Sequence, residues 1–169
     1  MKRQRADELA LCMKKLAHPQ RVYVRSGRLA STANGLNGVR AALADQVRVL
    51  LQQLWKDWEQ DATGLDGPAS AQQVQEALEP LAADRAVELM SQLAAECLVW
   101  PGAGFMERSA TDAVARRVAQ LLGPGAHWWS NYDPELACYS SAVTPCTFDG
   151  LIAGTDGHRF TVLIQVGED

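Results

Sequence analysis

Apolar residues recur at intervals of three and four through most of the chain and at intervals of two near its end, a pattern that predicts helices first and strands afterwards. Leu9, Cys12, Met13 and Leu16 fall at i, i+3, i+4 and i+7 and predict a helix over residues 5–16. His18-Pro19 ends it, because the residue before a proline is pushed out of helical geometry. Val22 and Val24 then alternate with Tyr23, and Ser26-Gly27 has the turn chemistry for a hairpin joining residues 21–25 to residues 28–32. Asn37 is placed to cap a long helix over residues 38–61, whose stripe is Val39, Leu43, Val47, Leu50, Leu51, Leu54, Trp55 and Trp58. A break over residues 63–70 leads to Ser70, a capping residue for a third helix over residues 71–98, kinked at Pro80 where a helix loses a hydrogen bond. A fourth helix begins at Ser109 or Thr111 and stops at Gly123-Pro124-Gly125.

Beyond Gly125 the period changes to two. Residues 128–132 carry strand-forming aromatics, residues 147–153 are a second candidate, and residues 159–166 form the strongest strand signal. In that last strand Phe160, Val162, Ile164 and Val166 face one way, and Thr161, Leu163 and Gln165 the other. The five residues from Gly154 to His158 suit an antiparallel hairpin. The expected fold is α+β: a mainly helical body of about four helices with a small antiparallel sheet, built from the N-terminal hairpin and the C-terminal strands. We expect one domain over residues 1–169, with helix and hairpin in 1–36, helices in 37–122 and strands in 127–169.

Composition narrows the function. The formal charge of -4 is unevenly spread: residues 1–28 hold eight Lys or Arg against two Asp or Glu, and the remainder holds eight against eighteen. An acidic body repels nucleic acid and anionic membranes, so neither is expected as a partner. There is no apolar run of signal or transmembrane character, which predicts a cytoplasmic protein. Cys12, Cys97, Cys138 and Cys146 form no CxxC pair, and His18, His127 and His158 match no metal spacing, so neither a metal site nor a cofactor is expected. Ser130, Ser140 and Ser141 lack a nucleophile motif. Cys138 and Cys146, with His127 and Asp133 or Asp149 as helpers, are the only groups from which a cysteine-dependent enzyme could be assembled. No catalytic residue is therefore assigned.

Residues 127–169 instead combine aromatic anchors with carboxylates, which suits protein recognition. Trp128, Trp129, Tyr132, Asp133, Glu135, Asp149 and Asp156 are the candidate partner-binding residues, for a partner with a basic face. Trp128 and Trp129 are adjacent, so in a strand they point to opposite faces and at least one belongs to the core. Trp129-Ser130-Asn131, then residues 143–150 reading VTPCTFDG, then an apolar strand ending in Glu168-Asp169, resemble the carboxy-terminal module of small bacterial immunity proteins that accompany secreted toxins. The resemblance covers about a quarter of the chain. It implies a non-catalytic toxin inhibitor that forms a direct complex with a cognate toxin or effector. A dimeric adaptor joined through the Val39 to Trp58 stripe is the other reading of the helices, so monomer and homodimer both stay open.

Overall fold

The computed structural model describes residues 2–30, 34–58, 68–100, 102–133, 138–139, 142–144, 146 and 148–167. The fold is α+β. Its centre is a five-stranded antiparallel sheet in the order β1-β7-β6-β3-β2, made of β1 (Val22–Arg28), β2 (Glu79–Leu81), β3 (His127–Ser130), β6 (Phe148–Thr155) and β7 (Arg159–Gly167). A two-residue pair, β4 (Tyr132–Asp133) with β5 (Cys138–Tyr139), stands beside it.

Both sheet faces are covered. Helices α1 (Lys2–Leu16), α4 (Ala83–Ala95) and α5 (Arg108–Leu122) pack on the face that presents Val22, Trp128, Ile152 and Leu163. Helices α2 (Gly35–Asp57) and α3 (Ala71–Ala77) cover the face of Tyr23, Trp129, Leu151, Phe160, Val162 and Ile164. The alternation expected of β7 is present, with its two sets of side chains on opposite cores. The sheet is thus the middle of three layers, not an attachment to a helical body. Two-sided burial explains why β6 and β7 are nearly continuous apolar runs.

Two expectations are corrected. Ser26 and Gly27 do not turn the chain: β1 runs straight through them, pairing Ser26 with Thr161 and Gly27 with Phe160. A Cβ on Gly27 would lie 3.0 Å from Cε1 of Phe160, so this glycine makes room for the ring of the neighbouring strand. The third helix is divided, because Pro80 lies in β2 opposite Trp129. That strand is the sheet edge, where a missing N–H is tolerated. Ser70 does cap α3, with a reciprocal bond from its own backbone N–H to the Gln73 side chain. The α2 stripe packs within the chain: Leu43, Val47, Leu50, Leu51 and Leu54 are buried against the sheet, with Val39 and Trp58 at the margin. Among the described residues no helix is long and apolar enough to cross a membrane.

Candidate functional site

The residues singled out from the sequence are dispersed by the fold. Trp128 and Trp129 are 3% and 2% exposed, on opposite sheet faces, so both are core and neither presents an anchor to a partner. The strand period required at least one buried tryptophan, and both are buried because helices cover each face.

Asp149 is also buried. Its Oδ2 accepts from Val143 N (2.9 Å), Thr144 N (2.8 Å) and Thr144 Oγ1 (2.8 Å), and its Oδ1 accepts from Asn131 Nδ2 (2.6 Å). Asn131 completes the circuit by accepting from Leu151 N at 2.7 Å. Burial pushes the Asp149 carboxyl up, against hydrogen bonds from Thr144, Asn131 and Val143 that favour its charged form. This carboxyl pins the chain near residue 143 to β6; it is no part of an acidic rim.

Asp156 closes the β6–β7 hairpin. Its Oδ1 accepts from the backbone N–H groups of His158 and Arg159, and its Oδ2 takes two bonds from the Arg159 guanidinium at 2.9 and 2.6 Å. Burial alone would raise this carboxyl, but the backbone donors and Arg159 outweigh it and hold it below the usual carboxylate range. Of the remaining candidates, Tyr132 is half-buried and Asp133 exposed, side by side in β4, and Glu135 lies outside the described residues.

No catalytic cluster comes together from the described residues. Cys146 is buried in the α2 face, near the Asp149 end of β6. His127 pairs with Thr155, six residues along β6 from Asp149 and so about 20 Å away at strand rise. His158 is at that far end too, and His18 stacks on Phe105 on the opposite face, with ring centroids 4.8 Å apart. The side chain of Cys138 lies outside the described residues. Among those residues no group of three or more His, Cys, Asp or Glu could hold a metal ion.

What the fold does present is Trp100, 62% exposed at the tip of the loop after α4. Gly102 takes φ 91°, and Ala103 N donates to Trp100 O at 3.0 Å. Below the tip, Cys97 N donates to Ala103 O and Phe105 N to Ala95 O, closing the loop as a small clip. Gln165, buried in β7, holds its base: the amide oxygen accepts from Leu98 N at 2.7 Å, and the amide nitrogen donates to Leu93 O and Glu96 O. Arg108 at the start of α5 adds an ion pair to Glu96 at 2.6 Å. The loop residues Cys97, Leu98, Ala103 and Gly104, with Met106 and Tyr132, line a cleft of about 470 Å³.

A rigid mount, an exposed indole and an adjacent cleft are features of a recognition surface. Trp100 lies two residues past the expected end of the third helix, where the sequence carries no periodicity. Its place next to a proline and close to two glycines in the sequence, where no amphipathic pattern directs a large apolar side chain to a core, was the available signal. Gln165→Leu is expected to lose about 2–3 kcal/mol, since Leu98 N and the carbonyls of Leu93 and Glu96 are left without their partner; urea denaturation measures it, and faster amide exchange at residues 97–104 shows the loop released.

Comparison of the chain with protein-family models, curated proteins and solved structures finds no match.

Proposed function

We propose that this protein is a non-catalytic, immunity-type binding protein that neutralises a cognate bacterial toxin or effector in the cytoplasm by direct complex formation. The observation that supports the reading is Trp100, a large aromatic side chain held out from a braced loop beside the cleft that Tyr132 lines. Trp is the residue most enriched among interface side chains that dominate binding energy, and anchors held rigidly before binding lose little entropy when they dock. Tyr132, with Asp133 beside it in β4, keeps its candidate role at this surface, whereas the buried Trp128, Trp129 and Asp149 act as its scaffold.

The test has a genetic and a biophysical arm. A gene for a secreted toxin beside this one is expected, and co-expression with the toxin domain is expected to restore growth. Trp100→Arg should abolish protection and weaken the complex by at least 30-fold, the equivalent of about 2 kcal/mol. Because the indole is exposed, the variant should keep the wild-type circular dichroism and Tm. Full protection by a folded Trp100→Arg protein would move the contact elsewhere, and absence of protection by the wild type would end the immunity reading.

A further inference from the structure

A second cleft, of about 380 Å³, opens where the start of α1 meets the β1–β7 edge; it is lined by Arg5, Arg28, Leu29, Asp156, His158 and Arg159. Arg28 and Arg159 are direct cross-strand partners in the β1–β7 register. Leu29 N donates to His158 O at the neighbouring position, so alternation makes the Arg28 and Arg159 pair a non-hydrogen-bonded one, the closer of the two kinds at about 4.5 Å between Cα atoms. Like charges placed directly opposite are unfavourable in a sheet. Asp156 neutralises Arg159 through its two-bond contact, but Arg28 and Arg5 have no ion-pair partner among the described residues. Arg5 adds to the conflict, since the first turn of α1 contains no acidic residue to complement the helix dipole. Two guanidinium groups without an ion-pair partner among the described residues, one of them from the first turn of α1, therefore line one open space, leaving an excess of about two positive charges among the lining residues.

We propose that this cleft binds a phosphoryl dianion, either inorganic phosphate or the phosphate of a small monoester. Arg28 and Arg5 supply the neutralising charge and the planar N–H donors that match phosphate oxygens. Arg159, held by Asp156, presents its remaining guanidinium edge in a fixed direction. The open side leaves room for the group that an ester would carry.

The experiment titrates the full chain with inorganic phosphate, with glycerol phosphate and with acetate, each against chloride at matched ionic strength. Binding is followed by calorimetry and thermal unfolding, and amide shifts map the site. Phosphate is expected to bind saturably and, at a hundredfold excess over Kd, to raise Tm by about 5–10 °C, with shifts centred on Arg28, Leu29, His158 and Arg159. Tighter binding of glycerol phosphate identifies an ester as the ligand, and equal or weaker binding identifies the free ion; both support the site. Arg28→Gln and Arg5→Gln are each expected to weaken phosphate at least tenfold, and Arg28→Gln should hold or raise the Tm in phosphate-free buffer, because it removes the repulsion. No saturable response to phosphate, an undiminished response in both variants, or acetate binding as tightly as phosphate would each overturn the proposal. None of these outcomes depends on Trp100.

Discussion

Asp149→Ala is expected to destabilise the protein by about 3–5 kcal/mol, because it leaves buried donors facing an empty space. Three of them, Val143 N, Thr144 N and Asn131 Nδ2, are amide groups that the carboxylate receives at 2.6–2.9 Å. Asp149→Asn is near in shape and still unfavourable, by about 2–3 kcal/mol, since its amide nitrogen must face either the Val143 and Thr144 amides or Asn131 Nδ2. Asn131 cannot flip to compensate, as its oxygen is already committed to Leu151 N. Urea denaturation measures both losses, and equal stability of wild type and Asp149→Asn would show that water reaches the site.

The pH dependence carries a definite sign. Burial raises the Asp149 carboxyl above its ordinary value, so the folded protein holds this proton more tightly than the unfolded chain does. The contribution of this group is therefore largest below the unfolded pKa of about 3.9 and declines as pH rises through the raised folded value. The stability advantage of wild type over Asp149→Asn should accordingly shrink as pH rises across that window. A constant advantage, or one that grows with pH, would show that the hydrogen bonds outweigh burial.

Gly154→Ala is expected to cost about 3 kcal/mol, at the upper end of what overpacking usually does. Gly154 pairs with Trp128 across β6 and β3, and the indole lies over the glycine where a Cβ would overlap Cε3 and Cζ3. Trp128 is 3% exposed in the core to which α4 and α5 contribute, so a shift of its ring must displace packed neighbours. Gly150, four residues back along β6 on the same face, repeats the arrangement: a Cβ there would lie 2.7 Å from Cδ2 of Leu93 in α4. The diagnostic is a double-mutant cycle: Gly154→Ala should cost at least 1 kcal/mol less in a Trp128→Leu background, because the contact that it violates is gone. Additive losses in thermal unfolding would show that backbone effects dominate at this glycine.

Most elements were legible wherever periodicity was long enough to average out exceptions. The helices holding Leu9 to Leu16 and Leu43 to Leu54, and the strands on either side of the Gly154 to His158 turn, follow directly from the spacing of apolar positions. The errors fell where one local signal has two physical causes. Ser26-Gly27 suits a turn, but a glycine is equally required where a neighbouring ring lies against the backbone, as Phe160 does. Pro80 breaks a helix, and whether the chain then bends or enters an edge strand depends on Trp129 being there to pair with it.

The candidate site was less legible, because exposure is a property of the assembled layers and not of residue type. The acid-and-aromatic composition of residues 127–169 is real, yet Trp128, Trp129 and Asp149 are enclosed once α2 and α4 close over the two sheet faces. Trp100, in a short turn without periodicity, is left outside by the same packing. The sequence by itself determined the long helices and the two strands of the β6–β7 hairpin, and that the last strand presents two distinct faces, since those follow from side-chain direction along the backbone. Only the tertiary structure decided which aromatics and carboxylates meet solvent. It also set Arg28 opposite Arg159 beside Arg5, because register and layer order join residues far apart in the chain.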